Sequence, residues 1–399
     1  RFVTRAPHRH AAQALMQKNQ RGLARAALDV QHFQPHVVHS QPSHGGIVPK
    51  QGAPTRPQVK SGLNLKAFVT LFQRFWVGLS AAATAAMVWA APLPLDATTP
   101  IFVLNSRDAD VSVIDPVSWS EVKRIPTGKE PHHLYLTPDE KSVIVANAAS
   151  DTLTFIDPLT AQVQRTLRNI LDPYHLRFSP DMKWLVVAAN RLNHVDIYRW
   201  DGKDPVLAKR IPTGKTPSHM WIDSKSTVAY VSMQDSDELV AIDLATQAIR
   251  WRVATGAMPA DVYLSADDKT LLLGLTASDS VEVWDVSARE PQLRQRIKTG
   301  EGAHAFRAAG DKRHVFVSNR VANTISKIDL QRLEVVERIN APGGPDCMDI
   351  TADGKLMLVT SRWAKKLTVI DLKTRKVVRQ VVVGSSPHGV WTFNHALRQ

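Results

Sequence analysis

A segment close to V-x-V-I-D recurs along the chain at a nearly constant interval. Successive copies lie 42 or 44 residues apart, and they end at Asp115, Asp157, Asp201, Asp243, Asp285, Asp329 and Asp371. Seven repeats of this length are typical of a β-propeller, in which each repeat forms one four-stranded blade around a central channel. We therefore predict an all-β protein with seven blades.

The strands of one blade can be assigned from alternating hydrophobicity and from turn residues. In the second repeat, the predicted strands from the inside outwards are HLYL, SVIVANA, DTLTFID and AQVQRTL. The turns after four of the inner strands read TPDEK, SPDMK, SADDK and TADGK, and Asp or Gly at these positions suits a tight reversal. Each complete repeat therefore supplies four antiparallel strands.

The two ends of the repeat region complement each other. The first repeat begins at IFVLN without an inner strand, whereas the last stops after GVWTF with an inner strand alone. Placing residues 390–393 inside the three N-terminal strands completes the seventh blade. Pairing of the N- and C-terminal strands would close the ring and remove the exposed sheet edges.

The sequence before the repeats differs in composition. Residues 1–62 contain six His and no sustained hydrophobic period, so we expect a disordered or non-native extension. Within residues 63–90 a cationic lead precedes 16 uncharged residues, which is the order of a signal peptide. That run is shorter than the roughly 20 residues of a spanning helix. Residues 91–399 would then form a periplasmic or secreted propeller; an uncleaved membrane anchor is the alternative.

The chain begins with Arg rather than Met. Because a signal peptide should lie near the N-terminus of a precursor, the residues before it would be an overextended reading frame or a long natural leader.

The formal net charge of +13 is concentrated in the same N-terminal region. Residues 1–74 hold 11 Lys and Arg but one acidic residue, which leaves 39 basic and 36 acidic residues in the rest of the chain. A net charge of +3 over that remainder lacks the electrostatic footprint of nucleic-acid binding. The composition therefore does not favour a nucleic-acid partner.

Motifs of catalysis and of structural metal binding are absent from the sequence. The single cysteine, Cys347, cannot form an internal disulfide, and its neighbours Asp346 and Asp349 disfavour a reactive thiolate. We find no zinc-finger spacing, GxSxG, HExxH, P-loop or dinucleotide-binding motif. No catalytic residue is assigned, and a non-enzymatic role is favoured over an enzymatic one.

The repeats VFVSNRVANTISKIDLQRLEVVERI and IFVLNSRDADVSVIDP, with the recurring TGxxP step, resemble the YVTN-type, YncE-like β-propeller repeat family over residues 100–393. The resemblance implies a propeller that is exported or surface-associated, and it assigns no ligand. One loop reads GGPDC in place of a Pro-His pair. The resemblance therefore does not imply a uniform ring of ligands.

The loop before each inner strand opens at the channel mouth, where propellers commonly bind their ligands. The two residues after the loop Pro, or its equivalent, are His132-His133, Tyr174-His175, Ser218-His219, Ala260-Asp261, His304-Ala305, Asp346-Cys347 and His388-Gly389. A ring of His could bind a metal, a haem-like cofactor or an anion. Alternatively, each His closes its own loop by hydrogen bonds. Because packed sheets lie roughly 10 Å apart, neighbouring blades share an ion only if their side chains converge, so no metal ligand or cofactor is assigned.

The loops between the second and third strands open at the same mouth and differ in charge. Those of blades 1, 3, 6 and 7 are basic, through Arg107, Arg191, Arg320, Arg362, Lys365 and Lys366. Those of blades 2, 4 and 5 are acidic, through Asp151, Asp235, Asp237, Glu238 and Asp279. Blades 6, 7 and 1 are contiguous in a closed ring, so one side of the mouth should be positive. The alternative is a solvated surface with scattered charges.

These patterns predict a small anionic ligand on the positive side of the mouth. An Arg can hold a carboxylate or phosphate by two parallel hydrogen bonds. The candidate ligand-binding residues are Arg107, His133, His175, His219, Arg320, Arg362, Trp363 and His388.

Deeper on the inner strands, Arg307 and Asp349 occupy equivalent positions on adjacent blades. A charge on a packed inner strand is costly unless it is paired, so we expect the two side chains to form an ion pair.

The sequence therefore predicts an exported, monomeric binding module with a small anion, a peptide or a protein partner at the channel mouth. The alternative is a propeller enzyme or cofactor carrier, either a lactonase-like hydrolase or a haem- or quinone-associated protein.

Overall fold

The computed structural model describes residues 99–398, which form seven four-stranded antiparallel sheets arranged as the blades of a propeller. The extension predicted for residues 1–62 and the signal peptide predicted for residues 63–90 lie outside the described residues. Within the described part, no helix has the length and hydropathy that a membrane span requires.

The innermost strand of each blade lines the channel. These strands are β28 (Pro387–Thr392), β4 (Pro131–Leu136), β8 (Pro173–Phe178), β12 (Pro217–Ile222), β16 (Pro259–Leu264), β20 (Ala303–Ala308) and β24 (Pro345–Ile350). They belong to blades 1 to 7, in that order.

The second and third strands of each blade carry the apolar core. The second strands are β1 (Ile101–Asn105), β5 (Val143–Asn147), β9 (Trp184–Ala189), β13 (Val228–Met233), β17 (Thr270–Leu275), β21 (His314–Asn319) and β25 (Leu356–Ser361). The third strands are β2 (Asp110–Asp115), β6 (Thr152–Ile156), β10 (His194–Trp200), β14 (Glu238–Asp243), β18 (Ser280–Asp285), β22 (Thr324–Asp329) and β26 (Lys366–Asp371). Each of these sheets packs between two neighbouring blades, which is why strands such as VIVAN and TLTFI are buried along their whole length.

The fourth strand of each blade lies at the rim and is largely exposed. The outer strands are β3 (Ser120–Pro126), β7 (Val163–Arg168), β11 (Pro205–Pro212), β15 (Ala248–Ala254), β19 (Gln292–Lys298), β23 (Glu334–Asn340) and β27 (Lys376–Val382). A single 3₁₀ turn within the described residues, Ala148–Ser150, joins the second and third strands of blade 2.

The ring closes through the strand that is last in the chain. Strand β28 pairs antiparallel with β1, with Phe102 opposite Trp391 and Ile101 opposite Thr392. The rings of Phe102 and Trp391 lie 5.9 Å apart in the core between blades. The predicted closure by pairing of the N- and C-terminal strands is therefore confirmed.

Each inner strand also contains a β-bulge near its N-terminal end. In β4, for example, Pro131 pairs with Asn147 and Leu134 pairs with Val145, so the inner strand has one extra residue that is not paired with β5. The same register shift occurs in the other six inner strands. A bulge interrupts the alternation of side chains. It explains why the rings of two consecutive residues, His132 and His133, both contact rings from other blades.

Candidate functional site

Six imidazole side chains from five blades converge in the channel at the level of the bulges. Each is more than nine-tenths buried, and they are His132, His133, His175, His219, His304 and His388. The ring centroids of His132 and His388 are 3.8 Å apart. The ring of His133 lies 4.8 Å from those of His219 and His388, and 4.6 Å from that of His175. Imidazoles of neighbouring blades are therefore in contact, which loop positions alone could not establish.

The hydrogen bonds of these histidines run mostly between blades. His388 donates its Nδ1 hydrogen to the carbonyl oxygen of His132 at 3.0 Å. Nε2 of His175 lies 2.8 Å from the hydroxyl of Tyr135 in the adjacent blade. Only His219, through Nδ1 and Ser218 at 2.8 Å, bonds within its own loop. The interpretation that each His closes its own loop is therefore wrong.

All six imidazoles present a buried nitrogen without a hydrogen-bond partner among the described residues. These nitrogens are Nδ1 of His132, Nε2 of His133, Nδ1 of His175, Nε2 of His219, Nδ1 of His304 and Nε2 of His388. The bond from His388 Nδ1 to a carbonyl fixes its tautomer, because a carbonyl only accepts. The lone pair of His388 is consequently on Nε2, which faces Asp346 Oδ1 at 3.7 Å.

The buried imidazoles are neutral at physiological pH. Burial is the main cause that lowers their pKa values, and neighbouring imidazoles and arginines lower them further. The pKa of His219 and that of His388 fall to about 3. A neutral imidazole keeps one nitrogen lone pair for coordination.

Asp346 is the charged centre of the opposite wall of the mouth. Its Oδ1 accepts from Arg320 Nη2 at 2.6 Å, and its Oδ2 accepts from Arg362 Nη1 at 3.0 Å. Nδ1 of His304 lies 3.1 Å from Oδ1. Burial alone would raise the pKa of Asp346, but Arg320, the two nearby imidazoles and Arg362 hold it well below its ordinary value. The carboxylate thus neutralises much of the positive charge that the loop arginines bring.

The remaining predicted mouth residues lie at different depths. Arg107 is exposed, and Trp363 is 57% exposed. The Trp363 ring lies against Gly344, where an added Cβ would come within 2.5 Å of it and the backbone has a φ of +71°. Arg191 pairs with Asp172 at 2.7 Å and with Glu130 at 2.6 Å. The structure thus brings His133, His175, His219 and His388 together, places Arg320 and Arg362 on Asp346, and leaves Arg107 and Trp363 at the surface.

Within residues 99–398, two groups of three side chains have the spacing of a metal site. Each group has ligand atoms within 4.8 Å of one another; one is His132, His133 and His388, and the other is His304, Asp346 and His388. Both are fully contained in the inner strands, which are held by blade packing on either side. The loop pairs read from the sequence contain His132, His304 and Asp346, but the candidate ligand-binding residues predicted from them do not. The bulge lets His132 and His133, both members of one pair, contact rings from other blades.

The deeper ion pair is confirmed. Arg307 Nε donates to Asp349 Oδ1 at 2.9 Å, and both side chains are almost completely buried. Arg398, from the segment after β28, also donates to Asp349, at 3.1 Å. Close by, burial, Asp346 and Asp261 raise the pKa of Cys347, so its thiol stays protonated.

Comparison with known proteins places this fold in a family. A family model for the YNCE-like beta-propeller matches residues 64–398. The chain belongs to this family. The match includes every blade of the YncE-like propeller described above, which confirms the resemblance that the repeats indicated. No curated protein matches the chain in sequence.

Solved structures of other propellers are similar in fold. The Pseudomonas aeruginosa periplasmic gluconolactonase PpgL gives a TM-score of 0.63 at 18% identity, covering 75% of this chain and 99% of that one. Dihydro-haem d1 dehydrogenase NirN, in complex with DHE, gives 0.58 at 17%, covering 77% and 78%. A functionally unknown protein from Desulfotomaculum acetoxidans gives 0.64 at 14%, covering 73% and 98%. At these identities the likeness shows the fold alone.

Proposed function

We propose that this YncE-like protein is an exported binding propeller that holds one transition-metal ion on histidines in its channel. The observation that carries the proposal is the group formed by His132, His133 and His388, whose ligand atoms lie within 4.8 Å of one another. All three side chains are buried and neutral, and each has a nitrogen without a partner. A buried polar atom without a partner is unfavourable, and coordination of a metal would remove that cost.

The arrangement around His388 supports the same conclusion. A metal-binding His usually donates its other ring hydrogen to a carbonyl or carboxylate, which fixes the ring and its tautomer. His388 donates to the carbonyl of His132 in this way. In a tetrahedral site with metal–nitrogen distances of about 2.1 Å, the nitrogens would lie roughly 3.4 Å apart. The three ligand atoms, which now lie within 4.8 Å of one another, would have to approach to that distance on binding a metal.

The chemistry of the donors favours a late first-row metal. Imidazole nitrogen suits Zn²⁺, Cu²⁺ and Ni²⁺, whereas Mg²⁺ and Ca²⁺ prefer oxygen ligands. The second group contains the oxygen ligand Asp346, but that carboxylate is already bound by Arg320 and Arg362. An ion there would have to compete with two guanidinium groups. The set of three imidazoles is therefore the better site.

The anionic ligand expected at the mouth would also have to compete with the existing contacts of Asp346 with Arg320 and Arg362. An anion at Arg320 and Arg362 would have to displace or repel Asp346, which both side chains contact at 3.0 Å or less. A metal on the histidines requires no such displacement.

Export rests on the signal-peptide order of residues 63–90, and the structurally similar PpgL is described as periplasmic. The alternative role is that of a lactonase-like hydrolase or a haem- or quinone-associated protein. The similar structures include a gluconolactonase and a dihydro-haem d1 dehydrogenase, which support the first two of these. The channel cavity is about 80 Å³. Sites for small-molecule ligands such as a sugar lactone, a haem or a quinone usually measure about 300–1,000 Å³. Such a ligand would have to lie on the open mouth. An absorbance spectrum of the purified protein would reveal a haem or quinone.

A metal titration of the full chain tests the proposal. Protein stripped with EDTA should bind Zn²⁺ in isothermal calorimetry, and Co²⁺ should give the visible absorption of a tetrahedral nitrogen site. Because residues 1–62 contain six further His, the decisive quantity is the difference between variants. His388→Gln and His133→Gln should each lower the affinity of one site at least tenfold.

Two other variants serve as controls. His314 lies in β21, away from the channel, and pairs with Asp311, so His314→Gln should leave the affinity unchanged. His304→Gln separates the two candidate groups, because it removes a ligand of the second group alone. If the wild-type protein and His388→Gln bind the same number of Zn²⁺ ions with the same affinity, the proposal is wrong.

A further inference from the structure

A second set of polar groups lies below the histidines, in a cavity of about 80 Å³ within the channel. Its roof includes His133 and His219, its wall includes Arg177, Trp221 and Asp261, and Arg307 and Arg398 also line it. By this measure of volume, a cavity holds one water molecule once it reaches about 10–15 Å³. The cavity therefore has room for a small ion with a water molecule, and not for a sugar or a nucleotide.

The charges around this cavity do not cancel. Three guanidinium groups line it, those of Arg177, Arg307 and Arg398. Arg307 and Arg398 share one carboxylate, Asp349. The second carboxylate, Asp261, accepts hydrogen bonds from the backbone nitrogens of Val262 and Phe306 at 2.9 and 2.8 Å. Three positive groups against two negative ones leave an excess of one positive charge.

The excess charge lies with Arg307 and Arg398, which share Asp349, because Asp261 lies near Arg177. The donors that lack an acceptor are on the side of Arg177. Its guanidinium carbon is 3.8 Å from the ring centroid of Trp221 and 5.8 Å from that of Tyr135. Nε of Arg177 and Nε1 of Trp221 are both buried without an acceptor among the described residues. Both atoms can only donate hydrogen bonds. A buried donor without an acceptor is costly, and a charged donor more so.

Arg307, at the equivalent strand position, provides the contrast. Its Nε donates to Asp349, its Nη1 donates to the carbonyls of Ala308 and Leu397, and its Nη2 donates to the carbonyl of Ala396. The protein itself supplies an acceptor for each of the three nitrogens of Arg307. For Arg177 it supplies the face of Trp221 and a hydrogen bond with Tyr135, with Asp261 nearby, and it leaves Nε without an acceptor.

We infer that the channel binds a small monovalent anion, of the size of a halide or nitrate, against Arg177 and Trp221. The anion would accept from Arg177 Nε and Trp221 Nε1 and would balance the excess charge of the cavity. Asp261 is the group that opposes an anion, and its oxygens are directed to two backbone N–H groups. The two donors, Arg177 and Trp221, are neither among the proposed metal ligands nor among the residues predicted to bind an anion at the mouth, although His133 and His219 line the cavity from above.

Bromide is a suitable probe because its position can be measured directly. Crystals of the protein grown in sodium bromide should show an anomalous peak within hydrogen-bonding distance of Arg177 and Trp221. In solution, bromide should raise the Tm of EDTA-treated protein more than sodium gluconate does at the same ionic strength. Gluconate is too large for the cavity. Because the protein is metal-free in this assay, the result does not depend on the proposed metal site.

Variants assign the effect to the two donors. Arg177→Met should abolish the bromide-specific increase in Tm, and Trp221→Phe, which keeps an aromatic ring but loses the N–H, should reduce it at least by half. The control is Trp284→Phe, because Trp284 Nε1 already donates to Glu282 at 3.0 Å; its bromide response should equal that of the wild type. A cavity that contains water alone in bromide crystals, or an unchanged bromide response in Arg177→Met, would overturn the inference.

Discussion

Arg177 and Arg307 lie at the same position of the inner strand, in blades 3 and 6, yet their hydrogen-bond partners differ. On the side of blades 6 and 7, Arg307 is held by Asp349 and by three carbonyl groups. On the side of blades 3 and 4, Arg177 lies on the face of Trp221 and keeps a donor without an acceptor. The comparison separates buried charges that stabilise the ring from buried groups that are available to a ligand.

The upper level of the channel shows this division only in part, because Arg320 Nε and His304 Nδ1, on the side of blades 6 and 7, are also buried without a hydrogen-bond partner among the described residues. Asp346 is satisfied by Arg320 and Arg362 on the side of blades 6 and 7. Across the channel, His133, His175 and His219 each keep a nitrogen without a partner. We therefore expect substitutions on the side of blades 6 and 7 to change stability, and substitutions on the side of blades 2 to 4 to change binding.

The largest effect should come from removing the carboxylate that holds Arg307. Asp349→Asn would leave two buried or half-buried guanidinium groups without a negative partner, so the free energy of unfolding should fall by about 3 kcal/mol. Urea unfolding followed by circular dichroism measures the change. Arg398→Gln, which removes one of the two partners, is the milder control and should cost less. Equal stability of Asp349→Asn and the wild type would show that channel water solvates the pair.

The pH dependence of stability tests the contribution of Asp349, on the side of blades 6 and 7, through a smaller expected effect. Burial alone would raise the pKa of Asp349, but Arg398, Arg307 and His395 hold it below its ordinary value. A carboxylate with a lowered pKa contributes its full stability above its unfolded-state pKa, near 3.9, and loses it as the pH falls towards the folded-state pKa. The stability difference between wild type and Asp349→Asn should therefore be constant from pH 7 to 5 and shrink below pH 4. A difference that grows on acidification would contradict the assignment.

The smallest effect on stability should follow Arg177→Met on the opposite side. No ion pair is lost there; the substitution removes one cation–π contact with Trp221, which contributes about 1 kcal/mol. It also removes a donor that has no partner, which acts in the opposite direction. Unfolding in chloride-free buffer should show a loss of 1 kcal/mol or less. A loss as large as that of Asp349→Asn would mean that the two sides of the channel do not differ.

The fold could be predicted from the sequence because the information is repeated along it. The V-x-V-I-D segments mark the third strands, and the incomplete repeats at both ends predicted the pairing of β28 with β1. The Arg307–Asp349 pair could also be predicted, since equivalent positions on adjacent inner strands must lie close together. Periodicity and burial costs were sufficient for these conclusions.

The site could be predicted only in part. The loop pairs located all six histidines and Asp346 at the mouth, but alternation of side chains gave no sign that both His132 and His133 would reach other blades. The contacts of Arg320 and Arg362 with Asp346 depend on side-chain directions across two blades. The order of charged residues in a sequence does not predict the directions of their side chains. The sequence therefore predicted that Arg320 and Arg362 would be free to bind a ligand.

The bulge in each inner strand also separates what the sequence must keep from what it can vary. Seven bulges give fourteen adjacent positions at the level of the histidines. Two of them are tied to the packing between blades: Cys347 packs against an apolar cluster, and a side chain at Gly389 would come within 2.9 Å of Leu104 and Leu134. The other positions could be exchanged with less effect on that packing, so substituting a handful of residues would change the set of channel side chains, which makes this propeller a practical scaffold for designed binding sites.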